Sequence, residues 1–138
     1  MNPIGVGVLK LLPNRFALGQ FRMEHGKKNK KFKRESKQRL ALIRGLIIAL
    51  IKNNKIVTTE AKAKSLKTEI ERLITKSKKN DLATVRDLSS RIGNESVSKL
   101  IKEIGSKYND RNGGYVRIRK LAPRVSDGSP MAMVELIS

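Results

Sequence analysis

Hydrophobic spacing changes once along this chain, and that change limits what it can become. From residue 36 to residue 104 apolar side chains recur every three or four positions; from residue 115 onward they alternate. The first spacing predicts helices with one buried stripe, the second strands with one buried face. Leu40, Ile43, Leu46, Ile47, Leu50 and Ile51 form the first stripe, over residues 36–52. Its width predicts a central, largely buried helix. Ser36 is placed as the N-cap, its hydroxyl accepting from a free amide of the first turn. Asn53-Asn54 ends the helix, because Asn tolerates the left-handed conformation.

Lys55 to Thr58 is short and β-branched, an extended link able to add a strand to a sheet. Thr59 is the expected N-cap of a second helix, about 60–79, with Ala63, Leu66, Ile70, Leu73 and Ile74 inward. Glu60 in its first turn and Lys76, Lys78 and Lys79 in its last suit the helix dipole. A third helix is expected over 81–92, with Leu82, Val85, Leu88 and Ile92 inward and Gly93 as its stop. A fourth, about 95–104, turns Val97, Leu100, Ile101 and Ile104 inward, with Gly105 as its C′ glycine. A turn-rich link follows. In YVRIRKL (115–121) Val116 and Ile118 face one way and Arg117 and Arg119 the other. MAMVELI (131–137) reads as a second strand, joined to the first by a loop too long for a tight hairpin. The expected fold is α+β: about four helices packed with a small antiparallel sheet, preceded by a basic extended arm.

Charge points to the partner. The 138 residues carry a formal net charge of +19 and a pI near 10.7. Residues 23–55 hold 11 basic and 2 acidic groups, nearly half of the excess in a quarter of the chain. Within them HGKKNKKFKRESKQR (25–39) sets eight Lys or Arg against one Glu. Such a run repels itself and has no apolar face, so it is expected to stay extended until an anion neutralises it. The absence of cysteine excludes disulfides and thiolate chemistry, and a single histidine leaves no multi-His metal site. No nucleophile, base and stabiliser can be assembled, and no Gly-rich loop with a following Lys-Ser/Thr is present. No enzyme activity, cofactor, metal or small-molecule substrate is therefore expected. The longest apolar stretch, LALIRGLIIALI (40–51), is too short to span a bilayer and contains Arg44.

Residues 1–22 differ in character, with mixed apolar residues, two prolines, three cations and no acid. They read first as an upstream stretch before a start at Met23, and second as a transit segment. The expected organisation is an atypical extension, 1–22, and one domain, 23–138, whose basic arm is 23–39.

A polyanion is the partner this distribution fits, since each phosphate neutralised releases condensed counterions. The candidate contacts are Lys27, Lys28, Lys30, Lys31, Lys33, Arg34, Lys37 and Arg39 in the arm, and Arg117 and Arg119 on the strand. Lys62 and Lys64 are further candidates, although ordinary helix solvation explains them equally well. No recognition helix or zinc-finger spacing points to sequence-specific DNA reading. A nucleoid-type DNA-binding protein is the alternative the same charge allows, and a peripheral binder of anionic membranes is the third.

Two separated motifs narrow the choice. IVTTEAKAKSLKTEIERLITKSK (56–78) presents Ile56, Thr58, Thr59, then Ala61, Lys62, Ala63 and Lys64, then Glu71, Leu73 and Ile74. GGYVRIRKLAPRVSDGSPMAMVELI (113–137) presents Gly113, Gly114, Tyr115, Arg117, Lys120, Arg124, Asp127, Pro130 and Glu135. Together with Met23, His25, Lys31, Arg34 and Arg39, these resemble the bacterial large-subunit ribosomal protein family seventeen over residues 23–138. Glu24 and Gln38 depart from it, standing where arginine and histidine are usual, as do Ala122-Pro123 and Ser126 in the loop. The resemblance implies a structural, non-catalytic constituent of the large ribosomal subunit that binds large-subunit ribosomal RNA and neighbouring ribosomal proteins. It would lie on the solvent side near the tunnel-exit region. It adds His25, Lys120 and Arg124 to the candidate RNA contacts. It implies a cytoplasmic ribosome, or an organellar one if residues 1–22 are a transit segment.

Overall fold

A computed structural model describes residues 30–137. The extension 1–22 and the first part of the arm, with His25, Lys27 and Lys28, lie outside the described residues. The described part has four helices and a three-stranded antiparallel sheet, the α+β arrangement expected.

Helix α1 spans Ser36–Asn53. Its burial rises along its length: Ser36 to Gln38, Leu40 and Ala41 are exposed, whereas Ile47, Leu50 and Ile51 are buried. The expected central helix is thus central only in its second half. Leu40, placed inward by its spacing, is 67% exposed, because the first turns run past the elements that cover the rest of the stripe. Ser36 is the first helical residue and not the cap; Glu35 takes that position without a side-chain hydrogen bond. Asn54 ends the helix as expected, left-handed at φ 62°, with its amide donating to the Leu50 carbonyl at 2.8 Å.

The chain then enters β1, Lys55–Thr59, and passes without a turn into α2, Glu60–Ser77. Thr59 occupies the N-cap position but its hydroxyl makes no cap bond. The Glu60 amide, one of those a helix start leaves open, donates instead to the Pro130 carbonyl at 2.9 Å. That bond fixes the start of α2 to the end of the loop preceding the last strand. Ala63, Leu66, Ile70, Leu73 and Ile74 are buried, the inward stripe read from the sequence. α2 touches α1, α3 and all three strands, so it is the central element. Full burial of a Leu or Ile side chain contributes roughly 1.5–3 kcal/mol, and this stripe holds four of them.

Helix α3, Leu82–Ile92, buries Leu88 and Ile92. Leu82, also expected inward, is 63% exposed at the open first turn. Asp87 on α3 accepts from Lys76 of α2 at 2.8 Å and from Arg91 at 3.0 Å, which ties the two helices together. These bonds, Lys76 first and then Arg91, hold the Asp87 carboxyl below the usual carboxylate range. Gly93, at φ +83°, makes the break. Helix α4, Asn94–Lys99, continues into a π-helical turn, Leu100–Gly105.

Gly105 is not the left-handed C′ residue expected. It is buried inside helical backbone, and its place is set by space. A Cβ there would lie 3.1 Å from the Ser77 hydroxyl and 3.3 Å from the Leu100 carbonyl oxygen. Ser77 has no room to withdraw: it is 1% exposed and donates to the Ile74 carbonyl at 2.8 Å.

Strands β2, Val116–Leu121, and β3, Met131–Leu136, complete a sheet of order β1-β3-β2. The last strand in sequence is central. Thr58 pairs with Ala132, and Val116 with Leu136. Val116, Ala132 and Val134 are buried on the face that α2 covers. Two tyrosines secure the other end: their ring centroids are 5.2 Å apart, and Tyr108 donates its hydroxyl to the Ile137 carbonyl.

Two outcomes follow from this packing. Gly105→Ala should lose about 1–3 kcal/mol of stability through overpacking against Ser77; an unchanged urea midpoint would show that the contact gives way freely. For Asp87 the lowered pKa means that its contribution is complete at neutral pH and is lost as the medium is acidified through the lowered value. Asp87→Asn should therefore be less stable at neutral pH, and its stability should converge with that of the parent in acid. Curves that stay parallel down to the acid transition would contradict the clamp.

Candidate nucleic-acid interface

Helical and strand spacing decides which cations of this chain meet a carboxylate. On α2 the three- and four-residue spacings pair Lys64 with Glu60 at 2.6 Å, Arg72 with Glu69 at 3.2 Å and Lys67 with Glu71 at 4.0 Å. On the sheet the register sets Arg117 opposite Glu135. Glu135 then lies between two guanidiniums, 2.9 Å from Arg119 and 3.8 Å from Arg117. In the β2–β3 loop Arg124 is 3.4 Å from Asp127 and 3.6 Å from the Met131 sulfur.

The stretch before and into α1 is different. Lys30, Lys31, Lys33, Arg34, Lys37, Arg39 and Arg44 have no carboxylate within 4.0 Å among the described residues. The only acid in residues 30–59 is Glu35, which pairs with none of them. All seven side chains are exposed except Arg39, which is half-buried. The arm is not straight. Arg34 donates its amide to the Lys31 carbonyl at 3.1 Å across a turn whose central residues, Phe32 and Lys33, are both left-handed at φ 53° and 51°. Such a conformation costs an L-residue roughly 1–2 kcal/mol. Ser36 to Arg39, the end of the basic run, is already the first turn of α1.

One carboxylate gathers cations from three parts of the chain. Glu60 accepts from Lys64, lies 4.0 Å from Lys120 on β2 and feels the charge of Lys30 from the arm. Its carboxyl is held below the usual range, first by the Lys64 hydrogen bond and then by Lys120 and Lys30.

The structure thus sorts the candidates into groups. Lys31, Lys33, Arg34, Lys37 and Arg39 stand on the arm and the first turn of α1, without partners among the described residues. Lys64 and Lys120 lie within 4.0 Å of Glu60, and Lys30 acts on it from farther away. Arg117 and Arg119 share the outer face of the sheet, as alternation placed them, with Glu135 beside them; Lys120, next in sequence, lies on the other face. Lys62 is half-buried on α2 with no carboxylate within 4.0 Å among the described residues. Arg124 stands alone in the loop with Asp127. His25, Lys27 and Lys28 lie outside the described residues.

Two cations were not singled out by sequence reasoning. Arg44 extends the unpaired set onto the third turn of α1; its guanidinium lies 3.9 Å from where a Cβ on Gly93 would sit. The signal for it was the lone charge inside an apolar run. Lys55 pairs in register with Glu135 across β1 and β3, a neighbour only the sheet order reveals.

Comparison with known proteins places this arrangement. The sequence model of the family described as ribosomal protein L17 matches residues 42–137. The large ribosomal subunit protein bL17 of Natranaerobius thermophilus is 47% identical over 109 residues, which are 78% of this chain and 96% of the relative. That of Halalkalibacterium halodurans is 42% identical, covering 78% of this chain and 97% of the relative. That of Thermoanaerobacter pseudethanolicus is 45% identical with the same coverage. The match runs from within α1 through α2 and the whole sheet, so the chain belongs to the ribosomal protein L17 family, a structural and non-enzymatic component of the large ribosomal subunit.

Proposed function

We propose that this chain binds large-subunit ribosomal RNA, with the basic stretch that ends in the first turns of α1 as its principal contact. One observation carries the reading. The cations from Lys30 to Arg44 have no carboxylate within 4.0 Å among the described residues, whereas most of those on α2 and the sheet do. A cation already paired gains less from a phosphate, because the existing pair must be loosened first. The unpaired set keeps its full counterion-release contribution. The expected arm contacts Lys27 and Lys28 extend the same run toward the N-terminus. The cluster at Glu60 supplies a second contact with net positive charge, and Arg124 a weaker one; Arg117 and Arg119, already held beside Glu135, contribute least. RNA is then held through its phosphates and shape. We place the chain in the ribosome of the cytoplasm, in contact with neighbouring large-subunit proteins, with residues 23–138 as the ribosomal domain and 1–22 as an extension to it.

The salt dependence of binding to a large-subunit RNA fragment tests this. A variant with Lys30, Lys31, Lys33 and Arg34 replaced by Ala should bind more weakly, and its log–log salt slope should flatten by roughly 0.7–0.9 for each phosphate no longer neutralised. Replacing Arg117 and Arg119 by Ala should flatten the slope less. An unchanged slope in the arm variant would contradict the assignment, and tighter binding to random duplex DNA at the same salt would favour the nucleoid alternative.

A further inference from the structure

The sheet has a face that no helix among the described residues covers. Register places Lys55, Glu135 and Arg117 in a row at one end and Thr59, Met131 and Leu121 at the other, with Val57, Met133 and Arg119 between. The helices lie on the opposite face, where Val116, Ala132 and Val134 are buried. On this outer face Val57 is 56% exposed and Leu121 40%, and the two methionines are half-buried between them. The loop at the apolar end adds Val125, which is fully exposed, and is drawn to the sheet by the Arg124 contact with the Met131 sulfur. An exposed apolar patch with a charged rim is the usual mark of an interaction site.

Charge and side-chain type select its occupant. The face holds no aromatic ring, so it offers no stacking platform for bases. Its arginines already flank Glu135, and that carboxylate repels a phosphate approaching them. A second copy of the chain is disfavoured as well. With Lys55, Arg117 and Arg119 against Glu135 the face carries two net positive charges, and two such faces would oppose like charges. Apolar contact at one end and excess cation at the other fit a polypeptide that sets apolar side chains beside carboxylates.

We propose that the outer face of the sheet docks another protein of the large subunit through a segment of that kind: Val57, Met131, Met133 and Leu121 take its apolar side chains, and Lys55, Arg117 and Arg119 its acids. The proposal rests on family membership and is independent of how the arm binds.

A photo-reactive residue at position 121, in chains assembled into large subunits in cells, tests it after irradiation of the purified subunits. The expected product is a cross-link to one protein, on a peptide carrying Asp or Glu beside apolar residues. Val57→Glu should cut its yield by at least about tenfold through like-charge repulsion. Val57→Lys, which removes the same apolar side chain but keeps the favourable sign, should retain most of it. Equal losses in the two variants, a cross-link to RNA, or no cross-link would overturn the proposal. Val57 is largely exposed, so both variants should fold, which thermal melting of the free proteins checks. The same probe at position 37 reports on the arm: failure to reach RNA from there would count against the proposed RNA contact alone.

Discussion

Repulsion among cations with no acid to meet them is the constraint on which the rest of this molecule depends. Between Lys30 and Arg44 seven positive side chains share the sequence with one carboxylate, and none of them has a carboxylate within 4.0 Å among the described residues. The folded part carries that repulsion because it is anchored elsewhere. Ile47, Leu50 and Ile51 fix the second half of α1 in the core, and the first half projects with its charges outward. Helix α1 is therefore a mount. Its apolar end is the footing and its basic end is presented to whatever lies beyond the protein.

The scaffold beneath it is built by long-range closure. β3, the last strand in sequence, sits between β1 and β2, and α2 packs on all three. The Glu60 amide held by the Pro130 carbonyl joins the start of α2 to the start of β3. The Glu60 side chain meanwhile holds Lys64 and Lys120 together and feels Lys30. One residue thus couples strand order, helix start and local field. Pairing on α2 and on the sheet lowers self-repulsion where the chain must be compact, which leaves the excess charge where α1 emerges.

Much of this is legible in the sequence, and the exceptions share a cause. The α2 stripe and the alternation of Val116 and Ile118 with Arg117 and Arg119 can be read directly, because periodicity reports which residues share a face. It does not report whether another element lies opposite. Leu40 and Leu82 fit their stripes and are nonetheless exposed, each near a helix start that no other described element covers. Gly105 illustrates a second limit. Its position after an apolar run matched a C′ glycine, but its reason is a Ser77 hydroxyl 28 residues earlier in the chain. The charge pairing was hidden in the same way. Arg117 and Arg119 could be placed on one face, but the Glu135 between them depends on register, and the meeting of Lys64 and Lys120 at Glu60 depends on the sheet order. Local chemistry is readable; which distant residue completes it is not.

The measurement that tests the central claim most directly is the acylation rate of individual lysine amines, read by mass spectrometry for the free protein and for the assembled large subunit. If the unpaired cations are the principal RNA contact, Lys30, Lys31, Lys33 and Lys37 lose most of their reactivity on assembly, and lose more than the acid-paired Lys64 and Lys67. Equal reactivity of those four amines in both states would show that the basic stretch faces solvent in the ribosome and would contradict the claim.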